Sequence, residues 1–135
     1  MRYLVDTNAC IAYLTQRSGP IVGRIANTNP GDLALCSIVK YELLYGARMS
    51  AKVDDNLKKR RQFFAPFQSL PFDDDAAGIA GSVRTTLERQ GTPIGPNDLL
   101  IAAMAVAHGL ALVTRNTSEF GRVPELVFED WEAVP

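Results

Sequence analysis

Three acidic residues of this chain occupy positions that solvation alone does not explain. Asp6 ends the apolar run Tyr3-Leu4-Val5, Glu42 lies among apolar residues at helical spacing, and Asp98 is the only charged residue at the head of a long apolar stretch. Together they would bring oxygen ligands from three separate elements, the hard donors that Mg²⁺ or Mn²⁺ prefers. Other chemistries lack their residues. A single histidine, His108, excludes any site that needs two and argues against a Ser-His-Asp triad. The two cysteines, Cys10 and Cys36, have no CxxC spacing and cannot furnish a thiolate-rich zinc site. They read as buried thiols in a reducing cytosol.

Each acid also has a plainer explanation. Asp6 either caps the helix that follows or faces a ligand beyond the carboxyl end of its strand. Thr7 and Asn8 are themselves good caps, which leaves Asp6 free for the second role. On a helix over 38–49, a rotation of roughly 100° per residue sets Ile38, Tyr41, Glu42, Tyr45 and Met49 on one side, opposite Lys40 and Arg48. A carboxylate on an apolar face is costly unless it is paired with an arginine or bound to a cation. Asp98 is either a first-turn acid that complements the helix dipole or a metal ligand.

The elements that must hold these acids alternate between strand and helix. Strands are expected at Tyr3–Val5, Leu33–Cys36, Leu70–Phe72, Leu110–Val113 and Leu126–Phe128. Helices are expected through Cys10, Ile11 and Leu14, then over 21–26, 38–49 and 51–64. A further helix opens at Asp73–Asp75 with Ala76, Ile79, Ala80, Val83 and Leu87 at helical spacing. The Leu99–His108 helix, apolar nearly all round, should be central. Gln90–Pro96 is a turn-rich loop, and Gly109 reads as a helix stop. Short strands alternating with helices predict an α/β fold, a parallel sheet with helices on both faces. The length of 135 residues, 47% of them hydrophobic, fits a single domain over 1–135. No apolar run approaches the ~20 residues of a membrane span, so a cytoplasmic protein is expected.

A net charge of −1 gives no global attraction to nucleic acid, so a polyanion would need a local basic patch. Lys58-Lys59-Arg60-Arg61 is the densest basic run, and it reads either as a solvated helix face or as a contact for phosphates. Asp73, Asp74 and Asp75 are explained by helix capping.

In order along the chain, several segments resemble the motifs of PIN domains. Leu4-Val5-Asp6-Thr7-Asn8 resembles the first acidic motif. SIVKYELLYG (37–46) resembles the second, with the family's acid on Glu42, and Gly95-Pro96-Asn97-Asp98 resembles the third. VTRNTSEFGRVPELVFEDW (113–131) is similar to the closing segment of VapC-type toxins. The resemblance spans essentially the whole chain and implies a PIN-like three-layer fold. Where many PIN domains carry an aspartate this chain has Asn116, which puts a second metal position in doubt, because a neutral ligand holds a divalent ion less tightly. Asn116 and Glu119 remain second-tier ligand candidates, and Thr7, Ser37 and Thr114 are candidates for orienting ligands or water. Arg115 and Arg122 are the candidates nearest the site for holding RNA.

The resemblance further implies a toxic endoribonuclease in which Asp6, Glu42 and Asp98 hold one or two Mg²⁺, with Mn²⁺ as substitute. It implies products with a 5′-phosphate and a 3′-hydroxyl, tRNA (initiator tRNA included) as substrate, a homodimer, and a small antitoxin that blocks the site. Three alternatives compete. A phosphorylation-receiver domain would need an acidic partner beside Asp6 and a late-strand lysine, where Thr114-Arg115 stands. A dehalogenase-like phosphatase would want an aspartate at Asn8. A non-catalytic binding module on the same fold has no evident need for all three acids.

Overall fold

The apolar runs form one sheet in the computed structural model, which describes residues 1–133. Positions 134 and 135, inside the span expected for the single domain, lie outside the described residues. In chain order the elements are β1 (Tyr3–Val5), α1 (Thr7–Leu14), α2 (Gly19–Asn27), β2 (Leu33–Cys36), α3 (Ser37–Arg48) and α4 (Val53–Phe64). They continue with β3 (Gln68–Leu70), α5 (Asp74–Arg89), α6 (Pro96–His108), β4 (Ala111–Val113), α7 (Thr117–Phe120) and β5 (Phe128–Glu129). A single 3₁₀ turn, Pro30–Asp32, interrupts the loop before β2. All strand pairs are parallel, in the order β3-β2-β1-β4-β5. Helices flank the sheet, as the alternation of elements predicts.

β1 sits at the centre because both of its edges must be paired. Leu4 and Val5 are buried, and Tyr3, Leu4 and Val5 lie in register with Ala111, Leu112 and Val113 of β4. The Asp6 N–H donates to the Val113 carbonyl at 3.0 Å, so the strand delivers its acid directly to the carboxyl edge of the sheet. α6 is the most buried helix, with Leu99 and the run Ile101–Ala105 inaccessible. Pro96 occupies its first turn, where a missing N–H costs nothing. Gly109 closes it in the left-handed region at φ 64°, which a residue without Cβ adopts freely. Packing along α5 and α6 thus fixes where Asp98 enters the site.

Four expectations need correction. β3 is Gln68–Leu70 and not Leu70–Phe72: an edge strand needs only the backbone ladder, here Ala34↔Gln68 to Cys36↔Leu70, and two of its three side chains are exposed. The last strand is Phe128–Glu129 and not Leu126–Phe128, for the same reason. The cap of α1 is neither Thr7 nor Asn8 but Asp6, whose Oδ1 accepts the Ala9 N–H at 2.8 Å. On α3 the buried stripe is Val39, Leu43 and Ala47, while Tyr41, Tyr45 and Met49 are exposed. The two stripes have the same spacing, and tyrosine tolerates either side.

Candidate active site

Asp6 combines the two roles that the sequence set against each other. One carboxylate oxygen caps α1, and the other accepts the Thr114 hydroxyl at 2.5 Å. Both side chains are nearly inaccessible, at 4% and 1%. Burial raises the Asp6 pKa to about 6 against the lowering effect of these two bonds, and the charges of Asp98 and Glu132 add to the rise. Thr114 in turn accepts the Asn116 N–H at 3.0 Å, so the end of β4 is tied to the end of β1.

Glu42 stands half-buried at the start of the second turn of α3. Its Oε1 accepts the Thr7 hydroxyl at 2.6 Å, and its Oε2 accepts the Asn97 amide at 3.3 Å. Among the described residues no lysine or arginine pairs with it, which removes the structural ion pair as its explanation.

Asp98, at the third position of α6, is also half-buried, but no protein donor among the described residues reaches its carboxylate. Its pKa is raised to about 6, by burial first and then by the charges of Glu119 and Glu42. A first-turn acid present only for the helix dipole would be expected to have its charge favoured, not opposed. Glu119 is held below the usual range by the Asn116 amide at 2.8 Å and the Gly95 N–H at 2.7 Å. A Cβ placed on Gly95 would lie 3.7 Å from Asp98 Oδ2 and 3.8 Å from Glu119 Oε1, so both carboxylates border the same stretch of backbone.

The donors fit a hard divalent cation: every candidate ligand is an oxygen, and among the described residues no protein donor uses those of Asp98. Among the described residues, however, no three acidic, histidine or cysteine side chains converge into a closed shell. Mg²⁺ is commonly held through one or two carboxylates while it keeps several waters, so an open arrangement suits it better than a cage. Cys10 and Cys36 are buried free thiols whose pKa values burial raises, which makes them inert.

The remaining candidates divide. Thr7, Thr114, Asn116 and Glu119 all bond within the acidic cluster. Ser37 does not; its hydroxyl accepts the Phe72 N–H at 3.2 Å and ties down the segment before α5. Arg122 donates to the Pro93 carbonyl at 3.1 Å, whereas Arg115 is 69% exposed and reaches within 3.9 Å of Glu132. Three residues near the cluster were missed by sequence reasoning. Asn97, beside Asp98 at the head of α6, offered a signal in its position. Arg17 and Glu132 offered none, since only the tertiary fold brings them together.

Comparison with known proteins identifies the family. The PIN-domain family model matches residues 3–126. The tRNA(fMet)-specific endonuclease VapC of Salmonella typhimurium is 37% identical over 131 residues, covering 97% of this chain and 98% of the relative. Ribonuclease VapC2 of Rickettsia felis is 36% identical over 135 residues, covering 98% and 99%. Among solved structures, DNA-bound VapBC from Salmonella typhimurium superposes with a TM-score of 0.92 at 37% identity, covering 97% of this chain and 98% of that one. VapBC2 from Rickettsia felis, bound to a promoter DNA fragment, gives 0.87 at 35%, covering 97% and 99%. The chain belongs to the PIN-domain family and, within it, to the VapC group.

Proposed function

We propose that this chain is the toxin of a toxin–antitoxin pair and acts as a divalent-cation-dependent endoribonuclease. The carrying observation is Asp98, a half-buried carboxylate without a protein donor among the described residues, opposed by the charges of Glu119 and Glu42. Such a group favours either a proton or a cation, and the neighbouring oxygen donors favour a cation. Family membership leaves no support for the receiver-like and phosphatase-like alternatives.

Asp6, Asp98 and Glu42 would hold the cation. When bound, it supplies Lewis acidity, easing deprotonation of the attacking water and offsetting charge on the phosphate and the leaving oxygen. Thr114 keeps Asp6 from rotating, and Thr7 and Asn97 do the same for Glu42. Glu119, anchored by Asn116 and Gly95, adds negative charge on the side where Asn116 stands in for an acid. Products with a 5′-phosphate and a 3′-hydroxyl follow from water attack with departure of the 3′ oxygen.

The relative named for tRNA(fMet) supports initiator tRNA as substrate. The VapBC complexes support a small cognate antitoxin. A homodimer in the cytoplasm completes the proposal. Exposed Tyr41, Tyr45 and Met49 are apolar surface of the kind that such partners cover. Among the described residues no helix is long and apolar enough to cross a membrane. The test is cleavage of tRNA by the purified protein freed of antitoxin. Activity is expected with Mg²⁺ or Mn²⁺, and undiminished activity in excess EDTA would reject the metal-dependent mechanism.

A further inference from the structure

Beside the acidic cluster lies an open cavity of about 520 Å³ lined by Asn8, Arg17, Arg115, Asn116 and Glu132. Its acid is unusual. The Glu132 side chain is only 3% exposed, yet its Oε1 is 3.4 Å from Arg17 and 3.9 Å from Arg115, and its Oε2 has no partner among the described residues. Stability alone does not call for a buried carboxylate so loosely compensated. It does place two guanidiniums from distant parts of the chain side by side. Arg17 is set by the end of α1, where its N–H bonds the Ala12 carbonyl across Gln16, a non-glycine residue at φ 53°. Arg115 follows β4. Glu132 itself is fixed by its N–H to Asp130 at 2.9 Å and by the buried neighbour Trp131, which packs edge-on against Tyr3.

More than half of each arginine side chain remains exposed, 54% and 69%. A guanidinium has five donors, and Glu132 engages at most a few of the ten, so the surplus is available to the cavity. Asn8 and Asn116 add amide groups at its wall. A concave site with surplus planar donors and a net positive charge suits a tetrahedral, multiply accepting anion, which in a ribonuclease is a backbone phosphate.

We propose that Arg17 and Arg115 bind an RNA phosphate next to the scissile one, and that Glu132 is the positioning residue that holds both guanidiniums for it. The inference rests on the ribonuclease reading above. It assigns the role to Arg17 with Arg115 and not to Arg122, whose guanidinium bonds the Pro93 carbonyl. The cavity adjoins the acids through Asn116, whose amide donates to Glu119.

The test uses binding, so that it does not depend on cleavage or metal. A 2′-O-methyl stem-loop, which resists hydrolysis, is titrated by fluorescence anisotropy in EDTA over a series of salt concentrations. Arg17→Ala and Arg115→Ala should each weaken binding about fivefold to tenfold. Each should also flatten the dependence of log affinity on log salt by roughly 0.7 to 0.9, the loss of one phosphate contact in the loop or the stem. Arg48→Ala, at the far end of α3, should leave both unchanged. Glu132→Gln should weaken binding about threefold although it makes the protein more positive, and that effect should vanish when both arginines are already alanine. Tighter binding by Glu132→Gln would overturn its positioning role. Arginine variants with the salt slope of Arg48→Ala would overturn the phosphate site, whether or not Glu132→Gln folds. Failure of the metal-site reading would show instead in the cleavage assay and leave these titrations as they are.

Discussion

Asp6 and Asp98 share a pKa raised to about 6 but have opposite surroundings. Asp6 is almost wholly buried, caps a helix and receives the Thr114 hydroxyl, so the fold uses it as well as the site. Asp98 is half-buried, takes no bond from a protein donor among the described residues, and faces other acids. One raised pKa thus marks two roles. Burial dominates in both, but only Asp98 lacks a structural use for its charge, which makes it the better witness to a ligand.

The largest effect should be a pH dependence that both acids share. Their folded pKa values exceed the unfolded value of 3.8, so the native state keeps protons that the unfolded chain has released. The stability they contribute is fully present below the unfolded pKa and lost as pH rises through about 6. Metal-free protein should therefore melt higher at pH 5 than at pH 7. Over the whole range from below pH 3.8 to above about pH 6, Asp6 alone accounts for up to about 3 kcal/mol. Rather more than about 1 kcal/mol of that falls between pH 5 and pH 7, and the more exposed Asp98 accounts for less. Melting curves in EDTA check it: Asp6→Asn should remove most of the slope and Asp98→Asn a smaller part. A slope unchanged by either variant would show that neither acid holds a proton in the native state near pH 6.

Alanine at each position separates the roles at about pH 4, near the unfolded pKa, where the charge cost is mostly relieved. Asp6→Ala loses a cap and orphans the Thr114 hydroxyl, costing about 2 kcal/mol and lowering the melting temperature by about 6 °C. Asp98→Ala should change little, and equal losses would contradict the contrast. Smaller still is Asn116→Asp. A carboxylate facing Glu119 should lower the Mg²⁺ concentration for half-maximal cleavage severalfold while reducing metal-free stability. An unchanged metal titration would leave Asn116 as the anchor of Glu119 and nothing more.

The centre of the fold was more legible in the sequence than its edges, for a physical reason. Most of β1 and the middle of α6, Ile101–Ala105, are buried, so their composition records their place, and the acids at their ends stand out. β3 and β5 are held by backbone ladders that leave little mark on side chains, so β3 lies two residues before its expected span and β5 begins two residues after its expected start. On α3 two apolar stripes, Val39-Leu43-Ala47 and Tyr41-Tyr45-Met49, carry the same periodicity, and only packing decides between them. Helical spacing singles out Glu42 on a face whose Tyr41, Tyr45 and Met49 prove exposed, and the motif resemblance points to the same residue independently. Glu132 and Arg17, 115 positions apart, meet only through the tertiary fold, which spacing cannot reveal.

The most direct test of the central claim, that these acids form a cation site, is Asp98→Asn measured in two ways. Two carboxylates ~5 Å apart repel by up to ~3 kcal/mol at an effective dielectric of ~20, so a neutral amide of the same shape relieves the metal-free cluster. The variant should lose tRNA cleavage in Mg²⁺ while melting in EDTA at pH 7 at or above the wild-type temperature. A variant that still cleaves and melts earlier than wild type would show Asp98 to be a helix-capping acid and contradict the metal site.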